Sequence, residues 1–507
     1  MVARKHPRGA PAGSGISRRE LLQSSLALAL SGATPRLRIR QLASGGSRVS
    51  NPDMLRGARP LVVQPVLLYS IPQRVPGRSW RSWGSLQSQE AVEEEARRIS
   101  EELSRLSEAA GFPLTFRPVA RVSSVEEAQS LRAAGADVAL VYAAGGWIQE
   151  LNAACDAGQW AIIFVRYRSG PYYLWHEIVH SRFLRGHTDR VQHPKVGLDD
   201  VIVDDPAELL WRLRALFGLK NVLGQRIVCI GGPGGWETPE APQRARERFA
   251  LEMPTVPIPD IQAMIQAGRK DRRLMDECRR EASAYIDAPG VTLRTTREAV
   301  TECFLLKKLC QRVMSEHKAW AVTTRDCMNS YAGIMPCLTL TLLNDEGYMA
   351  YCEGDFVVIP AGMLLHFISG QPTYFCNPTF PHAGRMMFAH CTAPRRMDGR
   401  DLEPVELVTH YESDHGAATH VLFRRGQRLT IVKPDFEAQR WLATTGSITD
   451  TPFLDTCRAQ VEVQLEADTQ EVLKNLRGFH CMLAYGDFRR EIRYAAGKVG
   501  IQVDIPA

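Results

Sequence analysis

The sequence predicts an α/β fold: two Rossmann-like parallel-sheet domains followed by a C-terminal antiparallel β-barrel-like domain. Three observations lead there. From residue 60, short β-branched apolar runs alternate with amphipathic helical stretches, as in βαβ units whose sheet is covered on both faces. The alternation restarts near residue 225. From about residue 397 the chain changes to short alternating strands separated by turn residues, the pattern of an antiparallel sheet or small barrel. A length of 507 residues agrees with about three domains.

In order along the chain, the predicted elements begin with a strand over 61–69 and a long Glu- and Arg-rich helix over 87–110 with apolar residues at helical spacing. A helix over 124–134, strands over 137–142 and 160–167, and a strand over 199–204 follow. Pro206 opens the next helix (206–217), in the first turn where its missing N–H costs nothing. The first α/β domain is therefore set at 59–224. The second, 225–396, starts with a strand at 225–230 and a Gly-Gly-Pro-Gly-Gly-Trp loop ending at Trp236, then helices at 259–287 and 294–315. The third, 397–507, carries strands at 405–410, 419–423, 428–433 and 459–465, a helix at 469–476 and a closing strand at 500–505.

Charge is unevenly placed. Residues 1–59 hold eleven Lys and Arg against Glu20 and Asp53, hence +9, which leaves −3 for the rest of a chain whose net is +6. Once that segment is set aside, nucleic-acid binding loses its electrostatic basis. No apolar run approaches the roughly 18 residues of a membrane span. Arg18-Arg19, a short apolar stretch and small residues ending at Ala33 predict a twin-arginine export signal (1–33) with a linker at 34–58, hence a periplasmic protein. None of the twelve cysteines forms a C-x-x-C pair, so no zinc ribbon or redox dithiol is written locally, and a disulfide framework is not expected.

Four stretches could carry chemistry. His176-Glu177-Ile178-Val179-His180 has the spacing of a zinc metallopeptidase, with both imidazoles on one helical face and Glu177 beside a water. The extended form of that motif is absent, and an amphipathic surface helix explains the same residues. The 231–235 glycine loop lacks phosphate-binding register and reads as a sharp strand-end turn that brings backbone to a cleft. Within 324–391, Glu353 and Asp355 flank Gly354 at the end of an apolar strand. Two apart on an extended chain they would point the same way, toward one hard cation. His390 closes a second apolar run in a position where parallel-sheet sites gather. The alternative is a capping acid in a solvated turn. Near the end, His480 enters an apolar strand that finishes Tyr485-Gly486-Asp487, where a satisfied core histidine is the plain reading.

Taken together and in this order, Glu353-Gly-Asp355 and His480…Tyr485-Gly486 resemble two segments of the L-fucose/L-arabinose isomerase family, in particular isomerase-like relatives with Cys-Glu-x-Asp and a late Ala-His-Cys. The resemblance implies a metal-dependent aldose–ketose isomerase working through an enediolate, with Mn²⁺ or another divalent cation on Asp355 and His480. It implies Glu353 or Asp326 as the catalytic acid/base; Tyr485 of the matching segment, with His390 and Trp236 at their strand ends, is expected to bind the substrate. Where the family carries its second catalytic carboxylate this chain has Asn329, Ser330 and Tyr331, and Asp326 is the nearest acid. A non-catalytic carbohydrate-binding protein on the same fold is therefore the alternative. Expected partners are a small sugar and further copies of the chain in a trimer or hexamer.

Overall fold

The computed structural model describes residues 51–186, 188–190, 193–325 and 331–507. The expected export signal, most of the linker and Asp326 lie outside these residues. The predicted fold class holds: two parallel α/β sheets and a closed antiparallel barrel.

The first sheet has six strands, all parallel, ordered Leu114–Phe116, Leu61–Leu68, Ala136–Ala143, Gly158–Val165, Val201–Val203, with Ala120–Val122 also on Leu61–Leu68. Leu61–Leu68, Ala136–Ala143 and Gly158–Val165 are almost wholly buried, because helices cover both faces. The predicted helix at 87–110 is Gln89–Ala109, its first turn closed by Ser88, which accepts from the Ala91 N–H. Pro206 opens a helix that runs on to Val222 and is buried nearly all round. It packs on Ile359–Ser369 and Arg489–Gly497, and so joins the three parts of the molecule.

The second sheet is smaller: Met349–Tyr351, Ala321–Thr324, Ile227–Ile230 and Thr255–Val256 in that order, again parallel. The single helix expected at 259–287 is two, Ile258–Lys270 and Arg272–Ile286, divided at Asp271. The Asp271 side chain accepts from the Leu274 N–H and starts the second helix. Cys337–Asp345 and Ile359–Ser369 are helices that periodicity does not announce, since they are buried on every side and show no polar face.

The barrel closes through Arg428–Pro434, Cys481–Tyr485, Tyr374–Pro378, Arg385–His390, Ala459–Leu465 and Arg440–Asp450, which pairs back onto Arg428–Pro434. Gln502–Asp504 adds to Arg440–Asp450 in parallel. Two barrel strands, Tyr374–Pro378 and Arg385–His390, come from the stretch read as the second α/β domain. The strand ending at His390 is therefore antiparallel, not part of a parallel sheet. A fully buried apolar strand reads alike in either setting until its partners are known. Val405–Val408 and Ala418–Val421, expected in the barrel, instead form a separate three-stranded sheet with Val291–Leu293. Among the described residues, no helix is long and apolar enough to cross a membrane.

Candidate functional site

Three strand ends meet at one place. The chain leaves Met349–Tyr351 through Cys352 into a tight turn at Glu353 and Gly354. Barrel strand Arg385–His390 delivers His390, and the residue before Cys481–Tyr485 is His480. Glu353 and Gly354 both have positive φ, 63° and 60°. The segment is thus not the extended one that would put Glu353 and Asp355 side by side. A non-glycine residue in this region carries strain that its surroundings must hold. Here the glycine loop holds it: Gly234 N–H donates to Gly354 O (2.9 Å) and Phe356 N–H to Gly234 O (3.1 Å), while Gly354 N–H donates to Thr323 Oγ1 (3.1 Å). The loop thus lays its backbone against the turn that carries Glu353 and Asp355.

The turn aims both acids at one imidazole from opposite ends. Asp355 Oδ2 lies 2.7 Å from His480 Nδ1, and Glu353 Oε2 lies 3.2 Å from His480 Nε2. The other Glu353 oxygen, Oε1, is 3.3 Å from His390 Nε2. Asp355 Oδ1 accepts the Val357 N–H at 3.0 Å, so both its oxygens are engaged within the protein. Thr392 Oγ1, 3.1 Å from His390 Nδ1, holds that ring as Asp355 holds His480. Phe375 packs against both imidazoles, and Trp236 stacks on Phe479 (4.5 Å) with its edge toward His480. Trp236 remains half exposed and forms the outer wall.

Electrostatics follow from the contacts. Burial acts to raise the Glu353 carboxyl, but the His390 and His480 imidazoles override it and hold it well below the usual carboxylate range. Burial acts to lower His480, but Asp355 and Glu353 override it and raise the imidazole to about 9. The buried Lys433 donates to Phe479 O, and burial lowers its ammonium despite Asp355 nearby.

The donor set suits a cation. Glu353 Oε2 and His480 Nε2 are buried and lack a hydrogen-bond partner despite their proximity. Ligand atoms about 2.1 Å from a shared ion stand about 3 Å from one another, and each Glu353 oxygen has one imidazole nitrogen at such a spacing, His390 Nε2 at 3.3 Å from Oε1 and His480 Nε2 at 3.2 Å from Oε2. Among the described residues, the trio around Glu353 whose donor atoms all lie within 4.8 Å of one another is Cys352, Glu353 and His390, with His480 just outside it. Asp355 sits behind His480, in the position of the carboxylate that orients a metal-bound histidine.

The sequence-predicted residues divide accordingly. Glu353, Asp355, His390, His480 and Trp236 come together. Tyr485 is buried with its hydroxyl donating to Glu403 Oε1 (3.2 Å), part of another group with Arg424. Thr392, Phe375, Phe479 and Lys433 were not singled out. Phe479 could have been suspected from its place beside His480, but Thr392 and Phe375 have no sequence signal.

The other two motifs fare differently. The 176–180 segment starts in the helix Leu174–Ile178 and passes into a π-helical turn, Val179–Leu184. His176 stacks on Tyr167 (5.0 Å) and meets the edge of Tyr172, and His180 is exposed. A cavity of about 490 Å³ opens elsewhere, at the C-terminal ends of Leu61–Leu68 and Ala136–Ala143, with Ser70, Arg81, Trp83, Gly146, Trp147 and Arg182 in its lining. The chain leaves Leu61–Leu68 to one side and returns on the other, which makes this the sheet's switch point.

No protein-family model matches this chain, and no curated protein matches it.

Proposed function

We propose that this chain is a metal-dependent sugar isomerase-like enzyme of the aldose–ketose class, with a divalent cation, Mn²⁺ by its ligand chemistry, held by Glu353, His390 and His480. The observation that carries the reading is the convergence of two imidazole Nε2 atoms on the two oxygens of one buried carboxylate, with Asp355 locked behind His480. Asp355 is then an orienting residue, not a direct ligand. Hard carboxylate and imidazole donors suit Mn²⁺.

When bound, such a cation supplies charge stabilisation to the oxygens of an enediolate. The remaining work belongs to the chain. Asp355 accepts from His480 Nδ1 and so holds Nε2 toward Glu353, where its proton would give way to a bound cation and leave the lone pair free. Glu353 is kept ionised, and of its two oxygens the cation needs only one. The other takes the proton from the carbon bearing the hydroxyl and returns it to the neighbouring carbon, while the hydroxyl proton passes by way of solvent water to the former carbonyl oxygen, so that atoms and charge balance. Trp236 and Phe479 give an apolar wall for the C–H face of a sugar and keep water from it. Export through the twin-arginine signal and assembly as a trimer or hexamer belong to the same reading.

The test is solvent exchange. With Mn²⁺ and a panel of aldoses and ketoses in deuterium oxide, deuterium should enter C1 or C2, and Glu353→Gln should stop it. A manganese-loaded protein that exchanges no sugar on the panel would reject the reading.

The alternative, carbohydrate binding without catalysis, draws on one specific observation: the switch-point cavity displays two exposed tryptophans, Trp83 and Trp147, beside Arg81 and Arg182. Aromatic faces with flanking cations fit an acidic sugar. Sugar-induced quenching of tryptophan fluorescence that disappears in Trp147→Ala but persists in Glu353→Gln would favour it.

A further inference from the structure

Most cysteines here are ordinary core residues. Cys229 and Cys310 lie among apolar side chains, and burial pushes each thiol up to about 12. A different arrangement lies just past the barrel strand that ends at His390. Cys337, Cys391 and His410, all buried, place one donor atom each within 4.8 Å of one another. The Cys457 thiol is within hydrogen-bonding reach of Cys391 and packs against the same small cluster, with Met335, Ala418 and Tyr411 around it.

We propose that Cys337, Cys391, Cys457 and His410 form a structural zinc site, separate from the Glu353 centre.

Donor chemistry is the first argument. Three thiols and one imidazole are the Cys₃His set of closed tetrahedral zinc sites, soft enough to discriminate against Mn²⁺ and Mg²⁺. The surroundings are the second. Arg458 N–H points at Cys391 Sγ (3.5 Å), a contact that favours a charged sulfur. Ser413 Oγ lies 3.0 Å from His410 Nδ1, which fixes the ring and assigns Nε2 to the ion, and Glu412 stands 3.8 Å from that Nε2. Cys337 is the first residue of the helix Cys337–Asp345, at the positive end of the helix dipole, which favours a thiolate. Three thiolates around Zn²⁺ leave one negative charge; the Arg458 guanidinium stacks over Tyr411 of the same cluster, donates to Thr409 O and meets Asp414 at 3.5 Å.

The third argument is connectivity. The four donors come from four separate segments: a buried helix of the second α/β part, the end of Arg385–His390, the loop after Val405–Val408, and the loop before Ala459–Leu465. An ion there ties two neighbouring barrel strands to the helix and to the three-stranded sheet. It does for these segments what a disulfide does elsewhere, and binding energy becomes folding energy. No C-x-x-C appears because no two donors share a segment.

The full-length protein, grown with zinc and dialysed against a weak chelator, should retain about one zinc per chain. Exchange into Co²⁺ should give the d–d bands of tetrahedral cobalt together with thiolate-to-metal charge transfer. Glu353→Gln should keep both, and Cys391→Ser should lose the zinc. Should Cys391→Ser fail to fold, Cys457→Ser, the least buried donor, is informative, since its cobalt spectrum should lose charge-transfer intensity. The proposal is overturned by zinc-free protein whose thiols at 337, 391 and 457 alkylate without chelator. It is equally overturned by a Cys337–Cys391 disulfide on mass spectrometry, or by an unchanged cobalt spectrum in Cys457→Ser.

Discussion

His390 and Cys391 are neighbours in sequence and belong to opposite clusters. Side chains of consecutive residues at a strand end leave on opposite sides. His390 goes to Glu353 and His480, whereas Cys391 goes to Cys337 and His410. The first cluster is hard, built of carboxylate and imidazole, and reaches solvent past the half-exposed Trp236. The second is soft, built of thiols and an imidazole, and is closed by Met335, Ala418 and Tyr411. An open site with hard donors can exchange ligands and do chemistry; a closed site with soft donors fixes structure.

Several experiments can break that contrast. The largest effect is expected from Glu353→Gln, which removes the charge shared by both imidazoles. Turnover should fall on the order of 10³-fold, while zinc on the thiol cluster stays unchanged by elemental analysis. Loss of zinc together with turnover would mean that the two clusters are one unit. Asp355→Asn should come next, weakening manganese binding by about 10- to 100-fold through misorientation of His480. Isothermal titration with Mn²⁺ measures it; an undiminished affinity would remove Asp355 from its orienting role.

Stability against pH sharpens the same comparison. In the manganese-free protein His480 is raised from its ordinary 6.5 to about 9. Its contribution is therefore complete below pH 6.5 and is lost as pH rises through about 9. Glu353, depressed from 4.5, contributes above pH 4.5 and loses its share only in strong acid. The melting temperature should thus be highest between pH 4.5 and 6.5 and fall from 6.5 to 9. In His480→Gln the fall should vanish, and persistence of the same slope would assign it elsewhere. The smallest effect is expected from Trp236→Ala, which removes the stack on Phe479 at a cost of about 1 kcal/mol. KM should rise several-fold with kcat nearly unchanged, as steady-state kinetics would show.

Legibility in the sequence differed between these regions. The parallel sheets were readable because strands such as Leu61–Leu68 and Gly158–Val165 are continuous apolar runs separated by amphipathic helices like Gln89–Ala109. Ile359–Ser369 was not, because a helix buried all round has no polar face to set its period. The two acids and two histidines of the open site stood out as polar residues at the ends of apolar runs. Their roles did not, since those depend on which nitrogen faces which oxygen. Asp355 is expected on the metal, and the contacts of its oxygens with Val357 N–H and His480 Nδ1 are those of a carboxylate that orients the imidazole. The closed site had no signature, its donors spanning 337 to 457 without a local motif.

By itself the sequence determined what is local: where apolar runs alternate or repeat, where Pro206 and Ser88 start helices, and which residues can ionise or bind metal. Those properties depend on a residue and its near neighbours along the chain. Only the tertiary structure decided that Tyr374–Pro378 and Arg385–His390 join the barrel, that Glu353 turns through a positive φ, and that His390 and Cys391 serve separate clusters. Pairing between strands and convergence of donors are set by the closure of long loops. The free energy of that closure is a sum over the whole core, which no short stretch of sequence contains.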